Sequence, residues 1–377
     1  MNDTKIIPIN KPSIGSLEIK AVKRVLSAGQ LAQGKEVSKF EGEFAKFCGV
    51  NHAIAVNSGT AALHIALLSI GVKPGDEVIT TPFSFIASAS VILMVGAKPV
   101  FVDIDKETFN IDPKSILRKI TKKTRAIIGV DIYGQCAAWK ELQSLSRDNG
   151  IKLIGDSSQS HGARIGNSLT GSFGDVSTFS FYATKNMTTG EGGMVTTNNH
   201  EISELSKKYR QHGMELDGAY NYTRLGYNYR MTDISAAIGR VQLSRVREMT
   251  DKRISIAKEY NAYFSDLEGI ITPIDNEKIN NYSHVFHLYT LRVAKSIRDL
   301  LVKKITNEGI GCGIYYPKPL YKTKLFANFN YEECPETEDA CNEVFSIPCE
   351  PSLKEKDINK IKKTVISCYK DLNTRKK

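Results

Sequence analysis

A lysine that leaves a strand through an aromatic run and enters a glycine-rich turn is not an ordinary surface lysine. Lys185 follows Phe179-Ser180-Phe181-Tyr182-Ala183-Thr184 and precedes Thr188-Thr189-Gly190-Glu191-Gly192-Gly193. Partial desolvation lowers the pKa of such an amine and makes it a usable nucleophile toward a carbonyl. Asp156 ends an apolar run over 151–155. The carboxyl ends of parallel strands are where open α/β sheets bind ligands. An acid there can ligate a metal, cap a helix or pair with a cationic ring, and Gln159 points into the same crevice. No His/Asp/Glu cluster with ligand spacing accompanies Asp156, and His161 by itself reads as structural, so no metal is expected. Asn57-Ser58-Gly59-Thr60-Ala61-Ala62 follows a strand pattern and opens a helical one. A helix start offers free N–H groups and a favourable dipole to an anion, although the same residues also make a plain helix cap. Leu225-Gly226-Tyr227-Asn228-Tyr229-Arg230-Met231-Thr232-Asp233 is rich in polar donors and aromatics, which suits a site or an interface loop.

These residues need a scaffold, and the first two-thirds of the chain supplies one. Short β-rich runs at 53–56, 77–81, 99–103, 126–131, 152–156, 176–181 and 193–197 alternate with helical patterns, notably 60–69, 84–95, 112–120 and 139–149. Several runs are continuously apolar, as strands covered on both faces are. The expected fold class is therefore α/β, with a seven-stranded, mostly parallel sheet in a large domain. From Asp233 to Phe264 a proline-free helical pattern leaves that domain. A strand-like run at 285–293, a helix at 297–308 and a terminal helix suggest a smaller C-terminal α/β domain. The division is placed near residue 245, giving 1–245 and 246–377.

Composition narrows the class further. The 377 residues are 41% hydrophobic and 24% charged, as in a globular protein. The most apolar stretch, 85–97, is too short and serine-rich to span a bilayer. Met1-Asn2-Asp3-Thr4-Lys5 lacks the apolar core of a secretory leader, so a cytoplasmic protein without membrane contact is expected. Seven cysteines, an odd number with no C-x-x-C pair, read as scattered reduced thiols. The net charge of +10 raises the question of nucleic acid. Residues 351–377 hold nine Lys/Arg against three Asp/Glu, so that tail carries six of the ten excess charges. A basic terminal helix without aromatic platforms reads as a solvated face, and no nucleic-acid partner is expected.

The segments NSGTAAL (57–63), TPFSFIAS (81–88), DSSQSHGA (156–163), FSFYATKNMTTGEGG (179–193) and LGYNYRMTDISAAIG (225–239) together resemble the DegT/DnrJ/StrS-type sugar aminotransferases. The likeness runs from about Pro12 to the C-terminus. It implies the aspartate-aminotransferase fold (fold type I) and the cofactor pyridoxal 5′-phosphate (PLP). By the resemblance Lys185 would hold PLP covalently and shuttle protons. Asp156 would pair with the pyridine nitrogen, Gln159 would meet the ring's hydroxyl face, and Phe85 would stack on the ring. Gly59, Thr60 and Ser180 would hold the phosphate. Asn228 would reach the phosphate of a neighbouring subunit, making the working unit a homodimer with shared sites. Leu31, Ala32, Gln33, Gly34, Ser58, Tyr315, Tyr316 and Lys318 match stretches that line the sugar-nucleotide site, and Arg230 matches a candidate for the amino-donor carboxylate.

The substrates implied are L-glutamate and a nucleotide-linked keto-sugar. TTGEGG resembles relatives that aminate C4, which points to a 4-keto-6-deoxyhexose on UDP, dTDP or GDP. Two departures stand out: DSSQ replaces the common DAAQ, and Tyr315-Tyr316 replaces a frequent histidine–tyrosine pair. A PLP-dependent sugar dehydratase is the nearest alternative, but those relatives carry histidine where this chain has Lys185. A non-catalytic regulatory or binding protein retaining the fold is the other. It would not need Asp156, Gln159, Ser180 and Lys185 together.

Overall fold

The computed structural model describes residues 6–374, apart from 216, 218, 219, 275–281 and 330. Residues 1–5, on which the leader reading rests, and the last three residues of the basic tail lie outside the described residues.

The strands run in chain order as β1 (His52–Val56), β2 (Glu77–Thr80), β3 (Lys98–Phe101), β4 (Thr124–Val130), β5 (Lys152–Asp156), β6 (Arg164–Ile165), β7 (Ser168–Leu169), β8 (Val176–Ser180), β9 (Gly193–Thr197), β10 (Ile270–Ile271), β11 (Tyr289–Val293) and β12 (Val344–Ile347). The helices are α1 (Ser16–Ala28), α2 (Lys35–Cys48), α3 (Gly59–Ser69), α4 (Ala87–Met94), α5 (Pro113–Leu117), α6 (Trp139–Asn149), α7 (His200–Arg210), α8 (Asp233–Phe264), α9 (Lys295–Asn307), α10 (Pro335–Glu343) and α11 (Glu355–Thr374).

The large sheet has the order β1-β9-β8-β5-β4-β2-β3. Only β9 runs against its neighbours; the β2–β3, β2–β4, β4–β5 and β5–β8 pairs are parallel. Strands β2, β4 and β5 are buried almost throughout because helices cover both faces. On one face Ile54, Ile128, Ile154 and Val195 pack with Ala62, Leu63, Ile65 and Ala66 of α3; on the other Ile127 and Leu153 pack with Trp139 and Leu142 of α6. A second core forms around the antiparallel sheet β10-β11-β12, with Leu301 and Ile305 of α9 and Ile361 and Val365 of α11. Helix α8 joins the two. Ala236, Val246 and Met249 pack on the large domain, whereas Ile256, Ala257, Tyr260 and Phe264 enter the second core. The point near residue 245 thus falls within a continuous helix. Ile7 also belongs to the second core and pairs with the Gly309–Gly311 turn.

Two of the element boundaries that differ from the sequence expectation lie beside the site. The helix expected from Ser84 begins at Ala87. Phe83 N donates to Thr81 Oγ1 at 3.1 Å, and this bend leaves Phe85 exposed before the helix starts. The strand expected over 285–293 begins at Tyr289. Phe286 sits at φ 44, outside the extended region, and its N–H is taken by His284 Nδ1 at 2.9 Å. The segment instead runs along the Tyr133-Gly134 loop, with Val285 N donating to Gly134 O and Leu288 N to Tyr133 O. All seven cysteines are free thiols. Among the described residues no helix is long and apolar enough to cross a membrane.

Candidate active site

Strands β5 and β8 are parallel neighbours, with Asp156 opposite Thr178, so both deliver their carboxyl ends to one crevice. The crevice opens into a cavity of about 820 Å³. The structure brings Gly59, Thr60, Ser180, Asp156, Gln159 and Lys185 together on its wall. Phe85 and Ser58 also line it, as do Tyr315 and Tyr316 from the loop before α10.

Asp156 is 5% exposed. Ser88 Oγ donates to its Oδ2 at 2.7 Å and Ser158 N to its Oδ1 at 3.2 Å. Ser84 and Ser88, one helical turn apart, are linked at 2.8 Å and continue this chain of hydroxyls. Each carboxylate oxygen can accept a second bond, so Asp156 still has capacity for a cationic partner. Gln159 is fixed from two sides: its Oε1 accepts from Tyr133 N at 2.8 Å, and its Nε2 donates to Tyr316 OH at 3.4 Å.

Below these residues lies Asp131, wholly buried, which accepts from Ala137 N, Trp139 Nε1, Ser157 Oγ and Ser160 Oγ, each at 2.8 Å. Burial pushes its pKa up to about 6 against the pull of those four bonds. The departure from DAAQ to DSSQ is therefore used: Ser157 helps to satisfy this acid.

Lys185 is half-buried and lines the cavity. Its Nζ has no hydrogen-bond or ion-pair partner among the described residues, and desolvation pushes its pKa down to about 8 although Asp156 pulls the other way. The buried His161 and His287 nearby are also pushed down by desolvation and by the lysine's charge. This geometry makes a free amine available near neutral pH. Without cofactor, covalent capture of PLP should accelerate about tenfold per pH unit up to about 8 and then level off; a stopped-flow series across pH 6–10 checks this. The linkage has a definite sign. The unfolded lysine, with a pKa of about 10.4, binds a proton that the folded one has lost, so the cofactor-free protein gains stability as pH rises from 8 to about 10.4.

The opposite end suits an anion. Ser58 caps α3 by accepting from Ala61 N at 3.1 Å, and the N–H groups of Gly59 and Thr60, at the very start of the helix, have no intrahelical acceptor. Here Gly59 is required by close approach: a Cβ would lie 2.7 Å from Ser180 Cβ. Gly59→Ala must push the helix start from β8, an overpacking that costs about 1–3 kcal/mol. PLP affinity measured by equilibrium dialysis is expected to fall about 10–100-fold, with the fold retained by circular dichroism. The amine, the buried acid, the exposed Phe85 and the anion-ready helix start all face one cavity. The residues present therefore fit PLP.

Other expected residues lie elsewhere on this chain. Asn228 is exposed and bonds through its carbonyl to Asn57 Nδ2 at 3.4 Å; Arg230 is half-buried and bridges to Val56. Leu31 and Ala32 are exposed and Gln33 and Gly34 half-buried, outside the cavity wall. Asp233 ties this loop to α8. Its N–H reaches Leu31 O and Ala32 O, and its carboxylate accepts from Gly34 N at 2.8 Å, Glu36 N at 3.3 Å and Val37 N at 3.1 Å. Lys318 is exposed and does not line the cavity.

Sequence reasoning missed several cavity residues. Ser84 and Ser88 carried a usable signal, two hydroxyls one turn apart in an apolar run. His287, which hydrogen-bonds Asn186 Oδ1 at 3.1 Å, and Asn10, which donates to Thr184 O at 2.5 Å, carried none.

Comparison with known proteins shows the family. The DegT/DnrJ/EryC1/StrS aminotransferase family model matches residues 12–366. A pleiotropic regulatory protein of Geobacillus stearothermophilus is 37% identical, covering 96% of this chain and 95% of its own. GDP-perosamine synthase of Caulobacter vibrioides is 34% identical over 96% of this chain and 98% of its own. PseC of Helicobacter pylori, an aminotransferase involved in pseudoaminic acid biosynthesis, superposes with a TM-score of 0.92 at 30% identity, covering 97% of this chain and 100% of that one. Aminotransferases of this family depend on PLP. The chain belongs to the DegT/DnrJ/EryC1/StrS family and is a PLP-dependent sugar aminotransferase of fold type I.

Proposed function

We propose that this enzyme transfers the amino group of L-glutamate to C4 of a nucleotide-linked 4-keto-6-deoxyhexose. The observation that carries the reading is Lys185, an amine of lowered pKa open to the cavity where the dehydratase alternative would have histidine. When bound, PLP supplies an electron sink for charge developing at the substrate carbon. Lys185 Nζ would anchor it and would be the group placed to hold or move a proton at the substrate carbon. Asp156 would hold the ring nitrogen protonated, Gln159 would meet the hydroxyl face, and Phe85 would cover the ring. Gly59, Thr60 and Ser180 hold the phosphate.

The acceptor assignment is supported by the TTGEGG segment and by the GDP-perosamine synthase relative. Ser58, Tyr315 and Tyr316 would face the sugar nucleotide, with Lys318 at the rim. The part up to about residue 245 binds the cofactor, and residues 246–377 carry the Tyr315–Tyr316 wall. We assign the exposed Asn228 to the phosphate end of a second copy's site. Loop 31–34 is tied to the same region by Asp233 and would serve the partner's sugar nucleotide. Leu225 at 79% exposed and Tyr222 at 55% give that face apolar surface for a homodimer to cover. Arg230, adjoining Val56, is the proposed grip on the glutamate carboxylate. The cytoplasm, where nucleotide-linked sugars are made, is the proposed compartment.

The test is an absorption spectrum of the protein with PLP, before and after L-glutamate. UDP-, dTDP- and GDP-linked 4-keto-6-deoxyhexoses are then added in turn. Loss of the visible band with glutamate and its return with one keto-sugar supports the reading. A band that glutamate leaves untouched contradicts the donor; return with none of the sugars contradicts the acceptor.

A further inference from the structure

Tyr133 is buried behind the cavity wall and does not line it, yet each of its polar groups ends on a different residue of that wall. Its N–H donates to Gln159 Oε1 at 2.8 Å. Its carbonyl accepts from Leu288 N at 3.2 Å. Its hydroxyl donates to the carbonyl of Tyr315. Gln159, Leu288 and Tyr315 come from the β5 exit, the approach to β11 and the loop before α10, and all three line the cavity.

The backbone is held against its own preference to make this possible. Tyr133 sits at φ 59, the left-handed region that a bulky side chain rarely occupies. Asn110 locks the turn, its Oδ1 accepting from Ile132 N at 3.0 Å and its Nδ2 donating to Gln135 O and Cys136 O. Gly134 follows at φ 101, where a Cβ would lie 2.8 Å from His287 N. The ring is fixed edge-on by Phe83 at 6.1 Å and Phe109 at 5.7 Å, and Phe83 also meets Tyr316 at 6.1 Å. Strained residues persist where surrounding structure over-determines them, often beside sites whose geometry they set.

We propose that Tyr133 is a positioning residue for sugar-nucleotide specificity. Its phenol tethers the Tyr315–Tyr316 wall to the Gln159 side of the cavity and so sets the width of the space the sugar enters. The inference rests on the proposed acceptor, because Tyr315 and Tyr316 face that substrate. A residue with this role affects the second substrate and not the first: glutamate needs Lys185 and the cofactor, whereas the sugar needs the wall.

Tyr133→Phe removes the tether and keeps the ring. Full-length holoenzyme is compared with wild type in steady state with the keto-sugar nucleotide that wild type aminates, among the UDP-, dTDP- and GDP-linked 4-keto-6-deoxyhexoses. The rate of the visible change with L-glutamate alone is measured in parallel. The expected result is a KM for the sugar nucleotide about tenfold higher, as for one lost hydrogen bond to a substrate-facing wall. The glutamate rate should stay within about twofold. An unchanged KM overturns the proposal, and so does an equal loss in both half-reactions, which would mean general damage. If wild type aminates none of the three sugars, the acceptor assignment fails, and hydrogen exchange of the 313–316 amides decides the tether. Faster exchange in Tyr133→Phe supports it; equal protection overturns it.

Discussion

Lys185→Ala is expected to give a folded protein that performs no amino transfer. Two roles end together. Loss of a positioned proton carrier alone costs about 10²–10⁴ in rate. The proposed anchor is lost as well, and among the described residues no second lysine lines the cavity to replace it. The visible absorption that marks lysine-bound PLP should be absent. The fold should not suffer, because Lys185 Nζ makes no hydrogen bond or ion pair among the described residues and its charged form is disfavoured where it sits. Removing it relieves a cost, so the cofactor-free variant should be at least as resistant to urea as wild type at pH 7. Turnover within tenfold of wild type would refute the assignment. A variant that loses activity and unfolds early would instead assign the lysine a structural part.

Asp156→Asn should lower turnover by about 10²–10⁴ while PLP remains attached to Lys185. The substitution keeps size and shape and removes one charge. Local bonding can adapt. The amide oxygen can keep the bond from Ser158 N, and the NH₂ can donate to Ser88 Oγ, whose own proton can turn toward Ser84 Oγ. Stability should therefore change little. In the proposed role, what would not adapt is the ring nitrogen, which would lose the anion that keeps it protonated. The visible band should persist, and the glutamate-driven spectral change should slow by the same factor as turnover. Near wild-type rates would remove Asp156 from its role. Loss of the band would mean that the carboxylate is needed to hold the cofactor, not to tune it.

The two predictions concern residues that local pattern already marked. Lys185, Asp156 and Gly59 each sit where a strand ends or a helix begins. The alternation of strand and helix patterns that builds the sheet is itself a local property of the chain. A parallel sheet then obliges such ends to meet at one edge. That is why the seven strands, the lysine, the acid and the helix start are legible in the sequence.

Other parts of the site depend on chain crossings that no local pattern encodes. Ser88 reaches Asp156 from 68 residues away, Asn10 reaches Thr184 from 174, and Tyr133 reaches Tyr315 from 182. Ser157 looked like a tolerated change, yet it serves a buried acid 26 residues earlier. The run at 285–293 is apolar enough for a strand throughout, but its first half is claimed by hydrogen bonds to the Tyr133-Gly134 loop. The sequence by itself determined the sheet and marked the lysine, the acid and the helix start that line the cavity, because periodicity, strand ends and helix starts act over a few residues. Tertiary structure alone decided how the walls around those groups are held, because a buried polar group takes whichever partner the fold brings within 3 Å, however distant in the chain.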